Sequence, residues 1–289
     1  MRAIRHSIFL GAATVALCNG PGAAAGVIFN ISDFTGACGT TLTCVGSTAV
    51  VGTALRLTPA NGGQSGAGYS TSAITLGSNA TFSTTFQFQI TNAGGIDPAD
   101  GLTFVLAQNP TGLGIGGGGL GYQGVPNSVA IEFDTFANGG SDVDSNHVAV
   151  DTGGNLTNTA LANPYGVSAC TFGSGHTQLG CMSNGDIWTA VIGYDGSKLS
   201  VSLQDAGNAV QNLITSFPID IAAALGTNNA FVGFTSGTGS GFENHDILNW
   251  QLANDTSLAP PSVPEPTSIA LFGLGLLGLP NLRRKLFRG

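Results

Sequence analysis

Positive charge is almost missing from the body of this 289-residue chain. Of its eight Lys and Arg, Arg2 and Arg5 stand near the N-terminus, and Arg283, Arg284, Lys285 and Arg288 near the C-terminus. Between residues 26 and 262 only Arg56 and Lys198 remain, against fifteen acids, a balance near −13. A body of this charge cannot neutralise phosphates, which excludes DNA and RNA as partners. It fits export, bound cations and neutral ligands. Amphipathic helices of useful length are also missing, as is any Ser-His-Asp or Cys-His arrangement for nucleophilic catalysis. Cysteine is sparse: five in all, with no second Cys or His pair at zinc-site spacing. The longest C-terminal apolar stretch, Ser268–Leu282, is shorter than the ~20 residues a membrane-spanning helix needs.

The ends read as targeting segments. Residues 1–25 carry Arg2 and Arg5, an apolar run over Ile8–Leu17, then Ala23-Ala24-Ala25, the three-part order of a secretory signal peptide. The C-terminus carries Pro264-Glu265-Pro266, the apolar stretch, then a basic cluster that would hold this end in the cytoplasm. Cys18 leaves with the signal peptide. The remaining even count in an exported chain favours two local disulfides, Cys38 with Cys44 and Cys170 with Cys181.

What the body does hold is short alternating runs between Gly- and Asn-rich turns: Thr53–Thr58, Ala80–Thr91, Leu102–Ala107, Ser128–Asp134, His147–Asp151, Ile187–Tyr194, Lys198–Leu203, Ala230–Thr235 and Asp246–Leu252. Regular short strands of this kind predict one all-β domain, a sandwich of antiparallel sheets over residues 26–253. Phe82, Phe86, Phe88, Phe104, Ile131 and Phe133, with Trp188 and Trp250, are its expected core. Ile219–Leu225 reads as one helical turn, and 254–262 as a linker before the C-terminal segment 263–289.

One hairpin concentrates the chemistry. In Ile131-Glu132-Phe133-Asp134-Thr135-Phe136-Ala137-Asn138, Glu132 and Asp134 share one strand face while Ile131 and Phe133 share the other. A polar loop with Asn138 and Asp142 follows, and His147 opens the next strand. Three carboxylates, an amide and an imidazole so focused call for a cation. Oxygen donors suit Ca²⁺, and carboxylates with His suit Mn²⁺ or another transition metal. The plain alternative is a hairpin with a solvated acidic loop. Two weaker patterns fail. Gly112–Gly117 fits a dinucleotide fingerprint, but more glycines and Leu120-Gly121 follow where a helix should open. Asp142-Val143-Asp144 opens like a calcium-binding EF-hand loop, but Gly at its sixth and Glu at its twelfth position are missing; Asp144 is read as a loop carboxylate with at most a minor metal role.

This hairpin resembles the metal-binding segment of the legume-type (L-type) lectins, a jelly-roll β-sandwich family. Three further segments agree in the family's order. Leu55-Arg56-Leu57-Thr58 through Phe82-Ser83-Thr84-Thr85-Phe86 is similar to the first strands. Ala99-Asp100-Gly101-Leu102-Thr103-Phe104 with Gly116–Gly121 is similar to the sugar-site loops. Val232-Gly233-Phe234-Thr235 through Glu243-Asn244-His245-Asp246 is similar to the last strands. The resemblance implies that Asp134, the Phe136 carbonyl, Asn138 and Asp142 bind Ca²⁺. It implies that Glu132, Asp134, Asp142 and His147 bind the transition metal. It assigns sugar binding to Asp100, the backbone N–H near Gly118, the Asn138 amide, the Phe136 ring, and the turn at Gly239 and Ser240. A carboxylate accepts hydroxyl protons, an amide and an N–H donate, and a ring covers the sugar's C–H face. It also implies a cis Ala99–Asp100 peptide. The C-terminus is similar to the PEP-CTERM sorting signal, which implies a membrane-embedded exosortase as partner, transient inner-membrane anchoring, and a final place at the surface or outside of a Gram-negative cell.

The loop Thr235–Phe242 is short and Gly-rich, so the sugar's identity cannot be read from it. The expected partners are neutral glycans or exopolysaccharide. Two other functions stay open: a matrix component without an active sugar site, and a glycoside hydrolase on a similar sandwich. The hydrolase strand pattern Glu-x-Asp-x-x-Glu begins at Glu132 but meets Ala137 at its third acid. Family members often dimerise through sheet edges, and nothing in the sequence decides between monomer and homodimer.

Overall fold

The structure, a computed structural model, describes residues 27–76, 80–140, 142, 144–170 and 177–254. The signal-peptide segment, and the linker and sorting segment from 255 onward, lie outside the described residues.

The strands run, in chain order, β1 (Val27–Ile31), β2 (Leu42–Gly46), β3 (Ala49–Val51), β4 (Ala54–Thr58), β5 (Ser65–Ser70), β6 (Ile74–Thr75), β7 (Phe82–Gly95) and β8 (Gly101–Ala107). They continue as β9 (Ser128–Asp134), β10 (His147–Thr152), β11 (Asn155–Ala162), β12 (Ile187–Tyr194), β13 (Lys198–Asp205), β14 (Gln211–Pro218), β15 (Asn229–Gly237) and β16 (Gly241–Ala253). Among the described residues a short α-helix, α1 (Ile221–Leu225), is capped by the Asp220 carboxylate, which accepts from Ala223 N–H, and ends on Gly226 in the left-handed region.

Two eight-stranded antiparallel sheets face each other. The back sheet orders β14-β13-β12-β7-β16-β4-β3, with β1 also paired to β16. The front sheet orders β11-β10-β9-β8-β15-β5-β2, with β6 paired to β15. The core between them is aromatic. Phe86 of β7 has its ring 4.9 Å from Phe234, 5.8 Å from Phe133 and 6.0 Å from Phe104, all three on the front sheet. Trp188 and Trp250 are fully buried, as expected, and each indole N–H finds an acceptor, Asn184 Oδ1 and Thr84 Oγ1. Both expected disulfides are present.

Strands unmarked by alternation are those with another reason to form. In β5 the glycines allow close approach: a side chain on Gly66 would strike the Leu57 carbonyl, and one on Gly233 of β15 would strike the Gly68 carbonyl. β11 and β14 close the front and back sheets with largely polar, exposed residues.

Candidate functional site

The site forms at one end of the front sheet, where three neighbouring strands begin or end. In register, Asp134 of β9 stands between Gly101 of β8 and His147 of β10. Because Ile131 and Phe133 point into the core, Glu132 and Asp134 point out of the sandwich on the opposite face. Glu132, Asp134 and His147 are nonetheless buried, covered by the loops above, and each brings a ligand atom within 4.8 Å of the other two. His147 Nε2 lies 3.2 Å from Glu132 Oε1.

The loop after β9 folds back over this group. Phe136 N–H donates to Asp134 Oδ1 at 2.8 Å, and Asn138 N–H donates to Asp142 Oδ2. The side-chain oxygen of Asn138 then faces only other oxygens, 3.3 Å from Asp142 Oδ2 and 3.2 Å from the Phe136 carbonyl. Without a cation an amide gains by turning over, so that its N–H₂ meets those acceptors. With a hard cation among them the oxygen-inward pose is the favourable one. Asp142 Oδ1, also buried, has no hydrogen-bond partner. The donor set therefore fits Ca²⁺ beside a carboxylate–imidazole site suited to a transition metal.

The electrostatics point the same way. Burial, then the charges of Asp142 and Glu132, push Asp134 well above the usual carboxylate range. Burial raises Asp142 as well, against the Asn138 N–H and His147. Burial and then Glu132 push Asp151, fully buried on β10, up to about 8, although Thr157 and Asn158 N–H groups both donate to it. Burial works against the charged form of His147, but Glu132 and Asp144 outweigh it and hold the imidazole above its ordinary value. A metal cation would reverse the carboxylate shifts.

Asp100 faces the group from the start of β8. Its peptide with Ala99 is cis. Its carboxyl is 3% exposed, so burial pushes it up to about 6, opposed by the Asn138 amide and Gly239 N–H. Asn138 Nδ2 donates to Asp100 Oδ1 at 3.4 Å, while Asp100 Oδ2 has no partner and faces a cradle of glycine backbone. A Cβ on Gly239 would stand 3.4 Å from that oxygen, and one on Gly117 4.0 Å. Gly118 lies so close to the Asn138 amide that a Cβ there would overlap it. A cleft of about 330 Å³ opens beside this cradle, lined by Ile115, Gly118, Gln123, Glu132, Asp134 and Asn138. The Phe136 ring is half-buried, and Asn138 and Ser240 are exposed. Ser240 meets the neighbouring strand end through its carbonyl, which accepts from Ile96 N–H.

The sequence reading gave Asp144 at most a minor metal role and passed over Asn146, yet both support the site. Asp144 Oδ1 lies 2.9 Å from His147 Nδ1, and its other oxygen accepts from Asn163 Nδ2 at 2.9 Å, so it orients the imidazole from behind. Its spacing three residues before His147 was the available signal. Fully buried Asn146 donates to the carbonyls of Val167 and Gly180 and accepts from Met182 N–H, tying the loop to the segment stapled by Cys170 and Cys181. Arg56, one of the two body cations, is held by Asp246 at 2.7 Å on the back sheet.

The family profile for the legume lectin domain matches residues 27–267, most of the chain. The chain belongs to the legume lectin domain family. A second profile, the PEP-CTERM protein-sorting motif, matches residues 262–285. Among curated relatives of this legume lectin domain, a probable L-type lectin-domain receptor kinase VII.2 of Arabidopsis thaliana is 32% identical over 184 residues, 60% of this chain and 26% of that protein. Agglutinin-2 of Cladrastis kentukea is 32% identical over 59% of this chain and 57% of its own. The matches thus span a quarter to just over half of those relatives' lengths. Peanut lectin superposes with a TM-score of 0.65 at 24% identity, covering 78% of this chain and 95% of that one. The Lotus tetragonolobus seed lectin superposes with a TM-score of 0.63 at 23% identity, covering 81% and 99%. These likenesses establish the jelly-roll sandwich, and membership of the legume lectin family supports carbohydrate binding.

Proposed function

We propose that this is a metal-dependent lectin that binds neutral glycans or exopolysaccharide without chemically altering them. Asp134, the Phe136 carbonyl, Asn138 and Asp142 would hold Ca²⁺. Glu132, Asp134, Asp142 and His147 would hold Mn²⁺ or another transition metal. The metals supply no step on substrate; they offset the buried carboxylates and hold the loop. Asp100, ionised, accepts protons from adjacent sugar hydroxyls, the Asn138 amide and the N–H at Gly118 donate, Phe136 covers the C–H face, and the turn at Gly239 and Ser240 borders the site. The observation that carries the reading is the buried group of Glu132, Asp134 and His147, with ligand atoms within 4.8 Å of one another and the unpartnered Asp142 Oδ1 on the loop above, next to Asp100. The sorting motif supports export, exosortase processing and a place at the cell surface. A glycan array read with Ca²⁺ and Mn²⁺, and again in excess EDTA, tests the function. Binding only with metal is the expected result, and glycan binding undiminished by chelation sinks it.

A further inference from the structure

Behind Asp100, between the two sheets, lies a second buried polar group, made of Glu243 and His245 on β16, Thr58 on β4 and Ser236 on β15. Glu243, Thr58, Ser236 and His245 are all fully buried. Their proton order follows from counting. Ser236 Oγ donates to the Gly101 carbonyl at 2.8 Å, and a carbonyl only accepts. Ser236 has then spent its one proton, so in its 2.9 Å contact with Thr58 Oγ1 it must accept. Thr58 has in turn spent its own proton and must accept from His245 Nδ1 at 2.8 Å. His245 therefore carries its proton on Nδ1. In the neutral ring, which burial favours by pushing its pKa down to about 3, Nε2 is a bare acceptor. Nε2 has no hydrogen-bond partner, and the group facing it is the Glu243 carboxyl, whose Oε2 is 4.0 Å away and whose Oε1 is also unpartnered. At 4.0 Å the two groups face each other without a hydrogen bond, and rotation about the broad terminal torsion of Glu243 is the motion that would have to close the gap.

We propose that Glu243 is a neutral carboxylic acid whose proton points to His245 Nε2, heading a one-way hydrogen-bond chain through Thr58 and Ser236 that ends on the Gly101 carbonyl and fixes the backbone carrying Asp100. The titratable groups facing Glu243 are Asp100, at the start of β8, and His245 on its own strand; Thr135 Oγ1 donates to Oε2 at 3.4 Å. Burial, and then Asp100, hold the acid well above its ordinary range. A neutral Glu243 leaves Asp100 free to carry the negative charge that sugar hydroxyls require. Glu243 is thus a positioning residue, and this consequence rests on Asp100 being a sugar ligand.

The test uses the full metal-loaded chain at pH 7. The infrared difference between wild type and Glu243→Gln should show one protonated carboxyl band lost, with His245 Nε2 unprotonated by ¹⁵N NMR. No lost band, or an imidazolium protonated on both nitrogens beside a carboxylate, overturns the proposal. Gln donates to Nε2 and accepts from Thr135, so Glu243→Gln should bind glycan within about threefold of wild type, and Glu243→Ala should lose about tenfold or more. A Gln variant losing tenfold or more also overturns it. If Glu243→Ala does not fold, the Gln spectrum and affinity still decide. If wild type binds no glycan, the lectin reading fails while the spectra still judge the proton chain.

Discussion

Gly118→Ala isolates the contact between the glycine loop and Asn138. Gly118 does not occupy the left-handed region, so alanine there carries no backbone penalty of that kind; the question is space. An added Cβ would stand 2.5 Å from Asn138 Nδ2 and overlap the rest of the amide. Ordinary carbon contact begins near 3.5 Å, so the amide must retreat by about 1 Å. Such a shift breaks hydrogen bonds of normal length and removes the oxygen from the proposed Ca²⁺ group. If one polar contact to sugar is lost and one metal ligand weakened, at roughly 1–2 kcal/mol each, glycan affinity should fall by about 30- to 1000-fold. Asn138 is exposed on a loop, so the melting temperature of the metal-free protein should move by only about 2 °C or less. The assay is titration calorimetry against a glycan selected on the array, with Gly118→Ala, Asn138→Ala and the double variant. With Asn138 cut back to Cβ the three atoms nearest the new methyl are gone, so the double variant should bind no worse than Asn138→Ala. Affinity within twofold of wild type in folded Gly118→Ala, or additive losses in the double variant, would refute the reasoning.

Other outcomes follow from the same geometry. Burial holds Asp100 up to about 6 in the metal-free protein. That raised value means the metal-free native state binds the proton more tightly than the unfolded chain, so its contribution to stability is present at low pH and lost as pH rises through about 6. Melting curves without metal should accordingly fall from pH 5 to pH 7, and saturating Ca²⁺ should flatten them. Asp144→Ala removes the group behind His147 and should weaken Mn²⁺ binding about 10- to 100-fold in calorimetry while leaving Ca²⁺ binding nearly unchanged. Phe86→Ala opens the centre of the aromatic core and should cost about 3–5 kcal/mol in urea unfolding.

The parts of this molecule that are legible in the sequence are those in which one strand's own pattern decides the outcome. Glu132 and Asp134 share a face because strand side chains alternate, and His147 meets Asp134 because the hairpin register follows from which residues are apolar. The strands β9, β12 and the central part of β7 stand out because their core-facing positions include Phe, Ile, Val and Trp. β5 and β11 do not, one because glycine replaces bulk where strands cross closely, the other because it is an exposed edge. The site divides along the same line. The residues proposed to touch metal or sugar lie largely in one hairpin and two loops, and their chemistry shows in their letters. The groups that hold them do not. Thr58, Ser236 and His245 are brought together from positions up to 187 residues apart, and none is unusual in its own segment. Periodicity says which face a residue takes, not which other face it will meet. The run Gly112–Gly121 shows the limit well. Its composition announces a special loop, yet the reasons are separate contacts: a side chain on Gly114 would strike the Gln123 carbonyl, one on Gly116 the Gln64 carbonyl, and one on Gly118 the Asn138 amide. Two of those glycines let the loop pack on its neighbours, and the third lets it reach the functional amide. Substituting all three in turn would therefore separate residues that build the loop from the one that serves the ligand: Gly114→Ala and Gly116→Ala should lower the melting temperature together with affinity, whereas Gly118→Ala should lower affinity alone.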